Sequence, residues 1–295
     1  MIYLTLKEWT NFYIPKLDKD ILFVEELKKT IKIHNILLEI ITLIFPNKNN
    51  SENRLKQHIL YASMIYYNKY ILFNRFPKLS EIDKVIICSS CIFLSFKEAG
   101  KPININILSE RLLLYLNNKS ENKKFLLEDI NDLIRNYEND ILYPIEFNMG
   151  IDNPYEFLKY LNFYLKKISI ENNIIEEIIQ LVNKFINNSL LFPLCLYYSS
   201  YDIALSCILL AKESNNYHFI NINNFIQMNQ LKIDKNNIYQ CAKYISKISN
   251  FLIKNNNSKD ITKNEKINNN LEIPKDNIKN EINFNVFAKI HTNQI

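Results

Sequence analysis

The near-absence of glycine limits this chain more than any other feature: among 295 residues the glycines are Gly100 and Gly150. Glycine-rich loops bind phosphates because only glycine lets several backbone N–H groups approach a ligand so closely. Two isolated glycines therefore exclude a Walker loop and a dinucleotide-binding fingerprint. Tight two-residue hairpins also depend on glycine, so a hairpin-rich β fold is disfavoured. The shortage favours an all-α chain with few left-handed turns.

Charge and cysteine content indicate an intracellular protein. The 36 basic and 31 acidic residues give a net charge of +5 that is spread along the chain, unlike the clustered patch of a nucleic-acid surface. The five cysteines are odd in number and lie in apolar surroundings, so we expect no secretory disulfide framework. No signal-peptide core is evident, and the apolar runs are shorter than the ~20 residues of a membrane span. We therefore expect a soluble protein that contacts neither nucleic acid nor membrane directly.

Apolar residues recur at the three- and four-residue spacing of amphipathic helices in ten blocks. Ser80 followed by Asp83 is typical of a capping box, and Gly100 is typical of a helix end. The block between them is apolar on nearly all sides, which predicts the buried centre of its domain. The predicted helices cover residues 21–45, 55–75, 81–98, 103–116, 125–143, 154–168, 171–190, 200–213, 221–228 and 234–253.

The second half of the chain repeats the organisation of the first. The Asn-Pro pair at 153–154 predicts the start of a second set of five helices, because Asn caps a helix and Pro fits its first turn. The central helices also align: Cys207 lies 116 residues after Cys91 (207 − 91), and Lys212 lies 115 after Lys97 (212 − 97). Such self-similarity predicts two related five-helix domains. The predicted organisation is an N-terminal extension (1–24), a first repeat (25–148), a second repeat (149–253) and a polar tail (254–295).

The tail differs in composition from the rest of the chain. It is rich in Asn, Lys, Asp and Glu with few apolar residues, which predicts disorder over residues 255–280. The stretch 282–290 is apolar enough that we expect it to dock somewhere as a short helix.

Residue types alone give few candidate sites. Cys88 and Cys91 form a CxxC, but a zinc site needs a second pair of ligands, and the four histidines are lone and far apart. Buried core cysteines, and no metal site, are therefore expected. Lys97, Glu98 and Glu138 fit two interpretations, a binding site or ordinary surface charges, the lysine then complementing its helix dipole.

The sequence around these charges resembles the cyclin family. Residues 94–98 (LSFKE) are similar to the end of the third cyclin helix, where an apolar run is followed by a lysine and an acidic residue. Glu138 and Phe147, nine positions apart, resemble the glutamate and phenylalanine at the end of the fifth helix. Residues 152–158 (DNPYEFL) and 197–205 (YYSSYDIAL) resemble, within the family, cyclin H.

This resemblance covers about residues 25–253 and implies two tandem cyclin repeats. It implies a regulatory subunit, without a cofactor or catalytic residues of its own, that binds and activates a cyclin-dependent kinase. The lysine and the glutamate would pair and bond the kinase backbone near its αC helix. The implied kinase-binding residues are Lys97, Glu138, Glu98 and Phe147.

A cyclin H-like role implies a CDK-activating kinase complex, an RNA polymerase II C-terminal-domain kinase complex, or both. An assembly-factor subunit and TFIIH would then be further partners, and the location would be the nucleus, with the cytoplasm as a second site. Three alternatives remain open. They are a transcription-type cyclin of the C, K, L or T type, a TFIIB-like factor of the same double fold, and a helical scaffold without kinase activation.

Two positions depart from the family pattern. Residues 33–39 (IHNILLE) lack the Met-Arg-Ala-Ile-Leu patch with which mitotic cyclins dock substrates, which favours a transcriptional or CDK-activating type. Pro144 lies where the fifth cyclin helix continues. Because proline cannot donate an N–H within a helix, we expect this helix to kink or end about one turn early.

Overall fold

The structure is a computed structural model that describes residues 20–46, 50–74, 77–117, 125–228 and 234–259. Within these ranges the regular elements are ten α-helices and two short 3₁₀ helices, without a strand, which confirms the all-α fold. The 3₁₀ helices are Pro154–Glu156 and Leu194–Leu196. The α-helices are α1 (Asp20–Ile44), α2 (Asn50–Phe73), α3 (Glu81–Glu98), α4 (Ile105–Asn117), α5 (Leu127–Leu142), α6 (Phe157–Lys167), α7 (Asn172–Ser189), α8 (Ser200–Ser214), α9 (Ile222–Met228) and α10 (Lys235–Lys259).

The described chain divides into two compact units, of which the first contains α1–α5 together with Leu190–Ser200. Helix α3 is its centre: residues 85–96 are all buried, and α3 packs against α1, α2, α4 and α5. The Ser80 hydroxyl accepts the Asp83 N–H, and the Asp83 carboxylate accepts the Ser80 N–H. The predicted burial of this helix and its predicted capping box are both confirmed.

The second unit contains α6–α10 and has α8 as its buried helix, with residues 202–211 all buried. Each unit contains an equivalent buried hydrogen bond between its central helix and its last helix. The Ser90 hydroxyl donates to the Ile134 carbonyl in α5 (3.0 Å), and the Ser206 hydroxyl donates to the Ile238 carbonyl in α10 (2.8 Å). Ser206 lies 116 residues after Ser90 (206 − 90), the same offset that aligns the cysteines. In each unit a serine of the central helix therefore donates a hydrogen bond to a backbone carbonyl of the last helix, at equivalent sequence positions.

Left-handed residues are few in the described part of the chain, but most of them are not glycine. Positive φ angles occur there at Gly100 (67°) and at four other residues, Glu146, Phe147, Ser169 and Asn216, with φ between 53° and 62°. Several of these residues end a helix with the hydrogen bonds of a Schellman motif, as at Gly100, whose N–H donates to the Lys97 carbonyl while that of Lys101 donates to Phe96. The shortage of glycine has not reduced the need for left-handed helix ends, because carbonyls at a helix end still need donors.

Helix α5 ends at Leu142, before Pro144, which confirms the early end predicted from the proline. The next residues form a turn in which the Glu146 N–H donates to the Tyr143 carbonyl and the Phe147 N–H donates to Leu142.

At the other end of the chain α10 continues to Lys259, so residues 255–259 are helical where the composition predicts disorder. The remainder of the predicted disordered segment, and the stretch 282–290, lie outside the described residues. Among the described helices none is both long and apolar enough to cross a membrane.

Candidate functional site

Lys97 and Glu138, which are 41 residues apart in sequence, meet in the first unit. The Lys97 Nζ lies 2.5 Å from the Glu138 Oε1, joining the last turn of α3 to α5. It also lies 4.3 Å from the centre of the Phe93 ring, a cation–π distance. The lysine side chain is 38% exposed and the glutamate 12%. The structure therefore brings together Lys97 and Glu138, two of the residues that carry the resemblance to cyclins, at a position that solvent reaches.

The stability of the fold does not explain this pair. A partly exposed ion pair contributes about 0–1 kcal/mol, because solvent screens the attraction and two side chains must be held in one geometry. An ammonium has three protons, and the bond to Glu138 uses one of them. A lysine fixed in this way can offer a further donor to a carbonyl on another molecule, while the glutamate keeps the side chain in position.

Glu98 is oriented differently. Its carboxylate contacts the His58 Nε2 from α2, and the glutamate side chain is only 13% exposed. The His58 Nδ1 lies 3.1 Å from the Asn153 Nδ2. His58 is therefore not the lone histidine that its sequence position suggests. Nothing in the sequence indicated this cluster, because 40 and 95 residues separate His58 from its two partners.

Phe147 lies in the turn after α5 and is 64% exposed. Its ring packs edge-to-face on Tyr143, which is 62% exposed, with centroids 5.7 Å apart. Tyr143 was not among the predicted site residues. Two large aromatic rings that contact each other at the surface are the kind of side chain that anchors protein interfaces.

The remaining candidates behave as core residues. Burial raises the pKa of Cys88 and of Cys91 well above the usual thiol range, so both are protonated and unreactive at neutral pH. In the described part of the chain no three His, Cys, Asp or Glu side chains are grouped to hold a metal ion. Buried cysteines in α3 agree with the prediction made from the CxxC.

Comparisons with known proteins agree with the all-α fold. No family model matches the chain. Among curated proteins it is similar to Cyclin-K of Homo sapiens, at 27% identity over 154 residues (52% of this chain and 25% of that protein). It is also similar to Cyclin-K of Danio rerio, at 25% identity over 154 residues (52% and 34%). The chain thus spans about a third or less of the length of these relatives.

Two solved structures share the fold. A chain of the yeast RNA Pol II CTD kinase CTDK-1 complex superposes with a TM-score of 0.59 at 18% identity, covering 81% of this chain and 69% of that one. A chain of the yeast TFIIK (Kin28/Ccl1/Tfb3) complex superposes with a TM-score of 0.51 at 16% identity, covering 75% and 86%. The architecture therefore defines an all-α protein with the cyclin fold. In fold and in sequence the chain is therefore similar to cyclins.

Proposed function

We propose that this chain is the regulatory subunit of a cyclin-dependent kinase, which it binds and activates. The observation that carries the proposal is the Lys97–Glu138 pair, formed at the surface between α3 and α5. Such a pair has little value for stability but presents a fixed, charged donor to a partner backbone.

The mechanism follows from what a kinase needs. Its αC helix carries a glutamate that must pair with the lysine of strand β3 before phosphoryl transfer. A surface that binds only the inward position of this helix shifts the kinase population towards the active form. Lys97 would fix the register of the contact, and the exposed rings of Phe147 and Tyr143 would supply apolar anchors near the end of α5.

Our proposal for the type of kinase is based on the relatives of the chain and not on the residues that resemble cyclin H. Those residues are buried and contribute to core packing, so they give no information about a partner; they are Tyr155, Ile203, Ala204 and Leu205. The sequence relatives are Cyclin-K, and one structural neighbour belongs to an RNA Pol II CTD kinase complex. We therefore propose a kinase of the RNA polymerase II C-terminal domain as the partner, and the nucleus as the site of action.

A CDK-activating complex with an assembly factor is the second candidate. It is supported by the likeness to a chain of the three-subunit TFIIK complex. The two candidates differ in composition and substrate: the second contains a third subunit and phosphorylates the activation segment of other kinases.

Affinity purification of the full chain with mass spectrometry tests both candidates, followed by kinase assays on a C-terminal-domain peptide and on a kinase activation segment. Lys97→Ala combined with Glu138→Ala is expected to weaken kinase binding by about a hundredfold, since loss of a charged hydrogen-bond donor at an interface costs about 2–3 kcal/mol. Lys212→Ala, the corresponding lysine of the second unit, is the matched control and should bind normally. Recovery of promoter DNA without any kinase would refute the proposal and favour the TFIIB-like alternative.

A further inference from the structure

The polar cluster formed by Glu98, His58 and Asn153 has a hydrogen-bonding order that can be assigned. The Asn153 Oδ1 accepts the backbone N–H of Tyr155 at 3.0 Å, which turns its NH₂ group towards His58. An amide NH₂ can only donate, so the His58 Nδ1 must be an acceptor and carries no proton. The ring proton is then on Nε2, where it is donated to the Glu98 carboxylate. The histidine is a neutral bridge between an anion and an amide.

The bridge holds together parts of the first unit that lie far apart in sequence. His58 comes from α2, Glu98 is the last residue of α3, and Asn153 immediately precedes the first 3₁₀ helix. Two further contacts attach the same segment to α2: the Tyr66 hydroxyl donates to the Met149 carbonyl (2.9 Å), and Tyr61 and Tyr155 pack edge-to-face. Asn153 itself is buried. The bridge is therefore partly buried and lies beside further contacts between the same segments, so it is not a chance surface contact.

The bridge also bears on the candidate kinase-binding site, because Glu98 is the neighbour of Lys97. Residues i and i+1 of a helix point in different directions, so the two charges serve different partners. Lys97 faces Glu138 in α5, while Glu98 faces His58 in α2. The contact of Glu98 with α2 therefore holds the last turn of α3 in a different direction from the ion pair with α5.

We propose that His58 is the positioning residue of the kinase-binding site: it holds Glu98, and thereby orients the last turn of α3 so that Lys97 meets both Glu138 and the kinase. This rests on the proposed function. It changes the role of Glu98 from a kinase contact, as the resemblance implies, to an internal anchor. Removal of His58 leaves a largely buried carboxylate without its donor, and such a group rearranges to reach water.

Substitutions at His58 separate positioning from simple loss of packing. The probe is the kinase that co-purifies with the wild-type chain. The end of a glutamine side chain can occupy the place of the Nε2 donor, whereas that of asparagine reaches only the place of Nδ1. His58→Ala and His58→Asn should therefore weaken kinase binding by about tenfold, and His58→Gln should restore it to within about twofold of wild type. His218→Ala, at an exposed histidine of the second unit, is the control.

A spectroscopic measurement on the free chain provides a second test. The ¹⁵N chemical shifts of the His58 ring should be those of a neutral imidazole protonated at Nε2. Asn153→Asp offers Nδ1 an acceptor in place of a donor, so the ring should become doubly protonated in this variant. A wild-type ring protonated at Nδ1 would overturn the assignment, and with it the proposal.

The outcomes of these tests are distinguishable. If a kinase binds the wild type, fails to bind the Lys97→Ala, Glu138→Ala double variant, and binds His58→Ala normally, the positioning role is wrong and the proposed function stands. If His58→Gln is as weak as His58→Ala while both fold, the role is also wrong, because the donor does not matter. If no kinase binds the wild type, the proposed function fails and the positioning role fails with it, whatever the ring spectrum shows.

Discussion

The two units share their buried framework and differ at the end of the central helix. Ser90 and Ser206 make the same bond to the last helix, and Gly100 and Asn216 occupy equivalent left-handed positions 116 residues apart (216 − 100). The Lys97–Glu138 ion pair has no counterpart at the corresponding positions of the second unit that the structure describes. In the first unit Glu138 lies four residues after Ile134, whose carbonyl accepts the serine bond. In the second unit the position four residues after Ile238 is a buried alanine, Ala242.

The ring beneath the lysine differs in the same way. Phe93 lies four residues before Lys97, and Ile208 lies four residues before Lys212, so this position of the second unit lacks the aromatic face over which the Lys97 ammonium lies. The comparison shows that the two units share contacts that pack their helices together, while the Lys97–Glu138 pair forms in the first unit and has no counterpart at the corresponding described positions of the second. Function has to be sought where the repeats diverge.

The largest expected difference between the two units is in how far acid lowers their stability. Burial lowers the pKa of His34 in α1 to about 4, whereas an unfolded histidine titrates near 6.5. Between these values the unfolded state binds more protons, so stability is complete above about pH 6.5 and is lost as the pH falls towards 4. The loss is about 3 kcal/mol for the first unit. Hydrogen exchange measured separately for the two units from pH 7 to pH 4 should show it.

His34→Leu is the matched variant for this measurement, since it places an apolar side chain of similar size in the core and removes the group that takes up the proton. The pH dependence of the first unit should become flatter in this variant. An unchanged dependence would assign the acid sensitivity to other groups. His218→Leu, in the second unit, should alter neither curve because His218 is exposed.

The serine contacts test whether the shared framework is energetically equivalent. Ser90→Val and Ser206→Val each place extra methyl groups at a fully buried helix contact and remove a hydrogen bond. We expect each to destabilise its unit by about 2 kcal/mol, with the corresponding alanine variants costing about 1 kcal/mol. Denaturant unfolding followed in each unit gives the values. A valine tolerated in one unit but not in the other would contradict the equivalence.

The left-handed helix ends should show a smaller difference. A Cβ at Gly100 would meet no atom within 4 Å, so Gly100→Ala reports the backbone cost alone, about 1 kcal/mol. Gly100→Asn should cost less than half as much, because asparagine tolerates this conformation, as Asn216 does. Thermal unfolding of the two variants measures the ordering. Equal costs would mean that side-chain type is irrelevant at this position.

The smallest expected effect is the contribution of the Lys97–Glu138 ion pair to the free energy of unfolding. A double-mutant cycle of Lys97→Ala and Glu138→Ala should give a coupling of less than about 1 kcal/mol in unfolding free energy. The same variants are expected to affect kinase binding by about a hundredfold. A coupling of several kcal/mol would instead assign the pair a structural role and weaken the functional argument.

Local sequence signals predicted most of the fold because they act over a few residues. The capping box at Ser80 begins α3, and Pro144 ends α5 early, as expected from bonds that span only three or four positions. The continuation of α10 to Lys259 was missed, since polar composition does not prevent a helix from extending beyond its apolar face. The Lys97–Glu138 contact could be anticipated only through resemblance to cyclins, because charge and spacing fit surface residues equally well.

The sequence by itself therefore determined an all-α chain with an internal repeat and bounded its helices, because glycine shortage, periodicity and capping are local properties. Only the tertiary structure decided which charges meet. His58, Glu98 and Asn153 come from three segments and form one hydrogen-bonded bridge, whereas the neighbouring Lys97 turns to a different helix. The crossing of packed helices fixes these partners, and no short-range pattern in the sequence encodes that crossing.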